Sequence, residues 1–111
     1  MRATVEKTMQ TWQWDRCWGW DFPMLAMAAA RAGRPDLAVD ALLLDTPKNT
    51  YLRNGHNYQH PALPIYLPGN GGLLAATAMM AAGWDGAEKG NTPGFPTKGW
   101  NIHHEGLTPL L

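Results

Sequence analysis

The stretch at residues 73–82 (LLAATAMMAA) constrains this chain more than any other. Ala, Leu and Met are strong helix formers, and no charged residue interrupts the run. A helix with no polar face is buried on every side. This one is too short to cross a bilayer. Something else must cover it, and Gly83 offers its stop. With 111 residues the chain is one domain with one modest core. Four helices and two long loops do not easily enclose such a helix. The expectation is that the chain self-associates or forms part of a larger helical protein.

The other helices follow from apolar spacing. Val5, Met9 and Trp12 fall at i, i+4 and i+7 of a helix over 2–12. Pro23 fits the first turn of a second helix running to about residue 32, with Met24, Met27, Ala28 and Arg31 on one side. Gly33 supplies a left-handed stop. Pro35 and Asp36 open a third helix to residue 45, striped by Leu37, Ala41 and Leu44. Residues 23–45 thus form an αα-hairpin. Residues 46–72 show no period and are punctuated by Pro and Gly, a loop of about 25 residues of the kind that is commonly functional. The chain is loop again after Trp84, with a short strand expected at 100–104.

Composition removes several classes. Nine basic residues balance nine acidic ones and no basic run occurs, which argues against a nucleic-acid surface or a membrane anchor. A single cysteine, Cys17, excludes an internal disulfide framework. Val occurs only at 5 and 39, and Ile only at 65 and 102, too few for a strand architecture. The class is all-α.

Three clusters can carry chemistry. The first is Gln13-Trp14-Asp15-Arg16-Cys17-Trp18-Gly19-Trp20-Asp21. Flat indoles stack on the apolar face of a sugar, and carboxylates take its hydroxyls. Asp21 also has capping work beside Pro23, which leaves Asp15 as the better ligand or base. The second is the loop His56-Asn57-Tyr58-Gln59-His60, dense in polar side chains. His56 and His60 are four apart, but Pro61 argues against a helical zinc pair, and no metal or cofactor is expected. The third is Pro68-Gly69-Asn70-Gly71-Gly72, a turn before the apolar helix, where glycines admit a close ligand. It lacks the Lys-Ser/Thr of a phosphate loop. Glu105, between His104 and Gly106, is a further carboxylate near the end.

The string CWGWDFPMLAMAAARAGRPDLAVDALLLDTPKNTYLRNGHNYQ, followed by LPIYLPGNGGLLAATAMMAAGWDG, PGFP and GWNIHHEGL, resembles the C-terminal end of six-hairpin glycosidases, the (α/α)6-barrel glycoside hydrolases. The order of features is most similar to the inverting α-L-fucosidase branch. Gln13-Trp14-Asp15 also resembles the Q-W-D signature of trehalases. The resemblance covers the chain from about residue 11 onward. It implies a partial (α/α)6 toroid of αα-hairpins with long loops, residues 1–111 forming the C-terminal part of a catalytic domain. It also implies acid/base hydrolysis of a glycosidic bond, with this chain supplying one wall of the cleft. An extracellular or periplasmic setting is implied as well. One departure matters. Where that branch places its general base in D-G-N, this chain has Pro68-Gly69-Asn70. The base therefore does not carry over onto this turn.

On this reading Asp15 is the candidate catalytic carboxylate, with Glu105 and Asp21 as alternatives. Trp18, Trp20, His56, Asn57, Tyr58, Gln59 and Asn70 are the candidate sugar contacts. The partners are a carbohydrate substrate and the remainder of the barrel or a second copy, and the chain alone is expected to be inactive. The alternative readings are a small helical interaction module and a non-catalytic carbohydrate-binding piece.

Overall fold

The computed structural model describes residues 1–88 and 92–111. Its helices are α1 (Arg2–Thr11), α2 (Asp21–Arg31), α3 (Pro35–Leu42) and α4 (Leu67–Ala82). Between α3 and α4 lie a single 3-10 turn, Pro47–Asn49, and two short antiparallel strands, β1 (Thr50–Tyr51) and β2 (Asn57–Tyr58). The domain is mostly helical, as the apolar spacing predicts. Among the described residues no helix is long and apolar enough to cross a membrane.

The αα-hairpin forms as expected. Gly33 closes α2 at φ +73°, a backbone region that a Cβ makes costly. Pro35 then starts α3, where its missing N–H is no loss. Arg34 locks the corner, pairing with Asp36 at 2.7 Å and with Glu6 of α1. The most deeply buried face of α2 is not the Met24–Arg31 side. Phe22, Leu25, Ala26, Ala29 and Ala30 point inward, while Met24 and Arg31 are exposed. The alanines decide this, because their small side chains let α3 and α4 approach α2 closely. Ala38, Val39 and Ala41 of α3, Met79, Met80 and Ala81 of α4, and Phe95 complete the core. Each fully buried Leu or Met contributes about 1.5–3 kcal/mol of hydrophobic stabilisation.

Helix α4 departs from expectation twice. It starts at Leu67, so Pro68-Gly69-Asn70-Gly71-Gly72 forms its first turns rather than a preceding turn. Proline is tolerated at the first helical positions, and the glycines answer to packing. A Cβ on Gly69 would lie 2.0 Å from Asn57 Oδ1, and one on Gly72 2.7 Å from Pro23 Cγ. Nor is α4 buried on every side. Gly69, Ala76, Met79, Met80 and Ala81 are buried, while Leu67 is 63% and Leu74 73% exposed.

The structureless loop at 46–72 is also corrected. Its first part folds into the 3-10 turn and the β1–β2 hairpin, with Thr50 opposite Tyr58 and Tyr51 opposite Asn57. Residues 100–104 form no strand. The ladder near the C-terminus instead joins Trp84 to Leu110 in a parallel bridge. Asp85 N–H donates to the Leu110 carbonyl at 2.8 Å, and Leu110 N–H to that of Gly83 at 3.0 Å.

Candidate functional site: a braced aromatic ledge

The turn between α1 and α2 satisfies part of its backbone within itself, as in Arg16 N–H to the Gln13 carbonyl and Asp21 N–H to that of Trp18, and side chains supply further partners. Asp21 is the first residue of α2, and no side chain caps the N-terminus of that helix. The expected forward cap is therefore not made. The Asp21 carboxylate reaches back instead and accepts the Trp18 N–H at 2.8 Å. Gly19, buried between the two indoles, donates its N–H to Gln59 Oε1 at 2.9 Å. Two residues 40 apart in sequence thus pin the turn to the hairpin loop.

Beneath the turn lies a fully engaged amide network. Gln59 Nε2 donates to the Lys48 carbonyl at 2.9 Å and to Asn57 Oδ1 at 3.0 Å. Asn57 Nδ2 donates to the carbonyls of Thr50 at 3.1 Å and Lys48 at 3.3 Å. Asn70 works from α4: its Oδ1 accepts the Asn57 N–H at 2.9 Å and its Nδ2 donates to the Gly55 carbonyl at 2.8 Å. Asn57 is 0% and Gln59 3% exposed. Buried amides are tolerated because nearly every donor and acceptor has a partner.

Above this brace sits an aromatic ledge. The rings of Trp18 and Tyr66 stack at 5.7 Å between centroids with 29° between planes. Lys48 Nζ stands 5.3 Å from the centroid of the Trp18 ring, within cation–π range. Trp18 and Trp20 are each nearly half exposed. Two residues apart, their Cα atoms are no more than about 7.6 Å apart. Burial and then the charge of Asp21 push the Tyr66 phenol up from its ordinary value. At neutral pH it is a hydroxyl able to donate a hydrogen bond.

The structure therefore joins the first two sequence clusters, with the members of the second mostly behind the ledge. Asn57, Gln59 and Asn70 hold it from beneath. Tyr58 is half-buried in the ladder opposite Thr50. His56 is half-buried, its Nδ1 enclosed without a partner among the described residues, and its backbone N–H donates to Asn54 Oδ1 at 3.1 Å. Asp15 is exposed, and no ion pair with Arg16 forms. Asp15 still lies near enough to raise the Cys17 thiol, after burial and Asp21. Glu105 lies in the exposed C-terminal segment, 3.3 Å from His103 Nε2. Among the described residues no group of three or more His, Cys, Asp or Glu side chains gathers to hold a metal ion.

Lys48 and Tyr66 are the two ledge residues that sequence reading missed. Both fall in the aperiodic region, and only the β1–β2 hairpin carries them to the Trp turn. Their one sequence signal is proximity to the Asn57–Gln59 stretch. No protein-family model, curated protein or solved structure matches the chain.

Proposed function

We propose that this chain binds carbohydrate through the Trp18–Trp20–Tyr66 ledge, as one wall of the cleft of an (α/α)6-barrel glycoside hydrolase. The observation that carries this reading is the brace. Half-exposed indoles on an irregular turn lose conformational freedom when fixed, and a folded chain has little reason to fix them for packing alone. Here a buried Asn–Gln network holds the turn through the Gly19 N–H between them. Pre-organised aromatic rings are what a pyranose face requires, since ordering occurs before the ligand arrives.

The exposed apolar stripe of α4 supports the wider assignment. Leu67 and Leu74 lie on an uncharged helix surface, suited to a neighbouring helix in a ring. Among the carboxylates, Asp15 remains the favoured base or hydroxyl ligand, because Asp21 is tied to Trp18 N–H and Glu105 is paired with His103. An inverting reaction needs its acid and base about 6.5–9.5 Å apart around a water. The acid on this reading comes from elsewhere in the ring.

Titration of the chain with a panel of oligosaccharides, read by tryptophan fluorescence and calorimetry, tests the proposal. Binding is expected with at least one sugar class, and Trp18→Ala and Trp20→Ala each weaken it while the melting temperature changes little. A flat response to every sugar refutes the binding assignment. In a longer protein containing this segment, Asp15→Asn is expected to cut turnover by about 10²–10⁴-fold if Asp15 is the base.

A further inference from the structure

We propose that the sugar taken by this ledge is anionic, a uronate or sulfated unit whose acid group is met by the Lys48 ammonium beside the Trp18 ring. The proposal rests on the carbohydrate reading above and deepens it to a substrate class.

The backbone that carries the charge is fixed in place. Lys48 belongs to the 3-10 turn, and its carbonyl is held by both Gln59 Nε2 and Asn57 Nδ2. Its backbone is thus anchored by the same amides that anchor the Trp turn. Its Nζ lies 5.3 Å from the Trp18 centroid, and the described ion pairs all involve other residues: Arg34 with Glu6, Arg34 with Asp36, and His103 with Glu105. An ammonium at an indole, with no carboxylate partner among the described residues, is a ready counter-charge.

The neighbouring acids are otherwise disposed. Asp21 Oδ2 is engaged by Trp18 N–H, and its negative charge reaches the Tyr66 hydroxyl. The surroundings of the Trp18 ring therefore offer both an ammonium, from Lys48, and hydrogen-bonding oxygens, from Asp21 and Tyr66. A sugar carrying both an acid group and hydroxyls has a partner for each. A neutral sugar satisfies only the oxygens. Hydrogen bonds in which one partner is ionised are roughly twice as strong as neutral ones. Lysine acts as a point charge with no fork geometry, so carboxylate and sulfate remain equally acceptable.

The test compares three oligosaccharides of similar length by calorimetry: an oligogalacturonate, its neutral methyl ester, and a sulfated galactan. Each is titrated into the chain at low and at high salt. The expected result is at least about tenfold tighter binding of one or both anionic sugars at low salt. That advantage shrinks at high salt as the charges are screened. Lys48→Gln should erase the preference, while Lys48→Arg retains it. Relative affinity of the carboxylated and sulfated ligands identifies which acid is preferred. Equal affinity for neutral and anionic sugars overturns this inference and leaves the carbohydrate reading standing. An anionic preference that survives in Lys48→Gln also overturns it. If no sugar of either kind binds, both readings fall. The salt comparison is made on the unaltered chain and does not depend on any variant folding.

Discussion

Residues 46–66 and residues 97–111 look alike as sequence. Both lack a period, both contain Pro and Gly, and both carry His and Asn. They fold to different ends. The first is threaded by buried amides and carries Asn57 and Gln59 at almost no exposure. In the second, Ile102 packs against the core and Leu110 joins Trp84, while nearly everything else faces solvent. The difference is not polarity but where the polar groups go. Asn57, Gln59 and Asn70 reach backbone groups that no helix or strand satisfies. His103 and Glu105 reach only each other, in water. A side-chain amide orders a loop when it replaces a missing backbone partner, and an exposed ion pair orders almost nothing.

The largest test strikes the brace where it is tightest. A Cβ at Gly19 would sit 1.9 Å from Asn57 Oδ1 and 2.7 Å from Gln59 Nε2, both already hydrogen-bonded. Gly19→Ala should destabilise the fold by about 3 kcal/mol or more, since neither amide can move without losing a buried bond. Denaturant unfolding measures this. A change below about 1 kcal/mol would mean that the network is loose, and the contrast between the two loops would lose its cause.

Next comes truncation of one amide. Asn57→Ala removes the Asn57 donor to the Thr50 carbonyl, one of the two donors to the Lys48 carbonyl, and an acceptor of Gln59 Nε2. The expected loss is about 1–3 kcal/mol, accompanied by a change in the Trp18 environment visible in near-UV circular dichroism. Hydrogen exchange sharpens the same comparison without mutation. The amides of Asn57, Gln59 and Tyr66, which donate to Asn70 Oδ1, the Leu63 carbonyl and the Asn57 carbonyl, should be protected. Amides through residues 103–108 should exchange quickly, because those residues are exposed.

A subtler probe sits inside the Trp turn. Burial first, then the carboxylates of Asp21 and Asp15, push the Cys17 thiol above its ordinary value. A raised value means less thiolate at a given pH, so alkylation near pH 8 should run slower than for free cysteine. Asp15→Asn removes one of the raising charges and should shift the pH–rate curve slightly downward. An unchanged curve would place Asp15 outside the electrostatic reach of the ledge. The smallest effect is expected in the tail. The side chains of His103 and Glu105 are 84% and 87% exposed, and Glu105→Gln should alter stability by less than about 0.5 kcal/mol.

Much of the helical architecture was legible because its signals are local. Apolar spacing located α1, α2 and α3, and Gly33 with Pro35 marked their corner. Which face of α2 turns inward was not legible. Met24 and Leu25 are both apolar, and only the alanines that admit α3 and α4 decide between them. The start of α4 was misread for a related reason. Pro68 and its glycines resemble a turn, yet their use is close approach, and the groups that approach, Asn57 and Pro23, come from distant parts of the chain.

For the site, sequence determined the ingredients: a Trp-rich turn, a polar loop, and a glycine-bearing entry to an apolar helix. Those follow from residue type and spacing along one segment. Tertiary structure decided the roles. It set Asn57, Gln59 and Asn70 behind the ledge, turned Asp21 back onto Trp18, and brought Lys48 and Tyr66 to the indole. Hydrogen-bond partners such as Gly19 and Gln59 lie 40 residues apart, and no local pattern encodes which buried carbonyl an amide will find. That choice is made only when the chain closes and each desolvated donor must take an acceptor within reach.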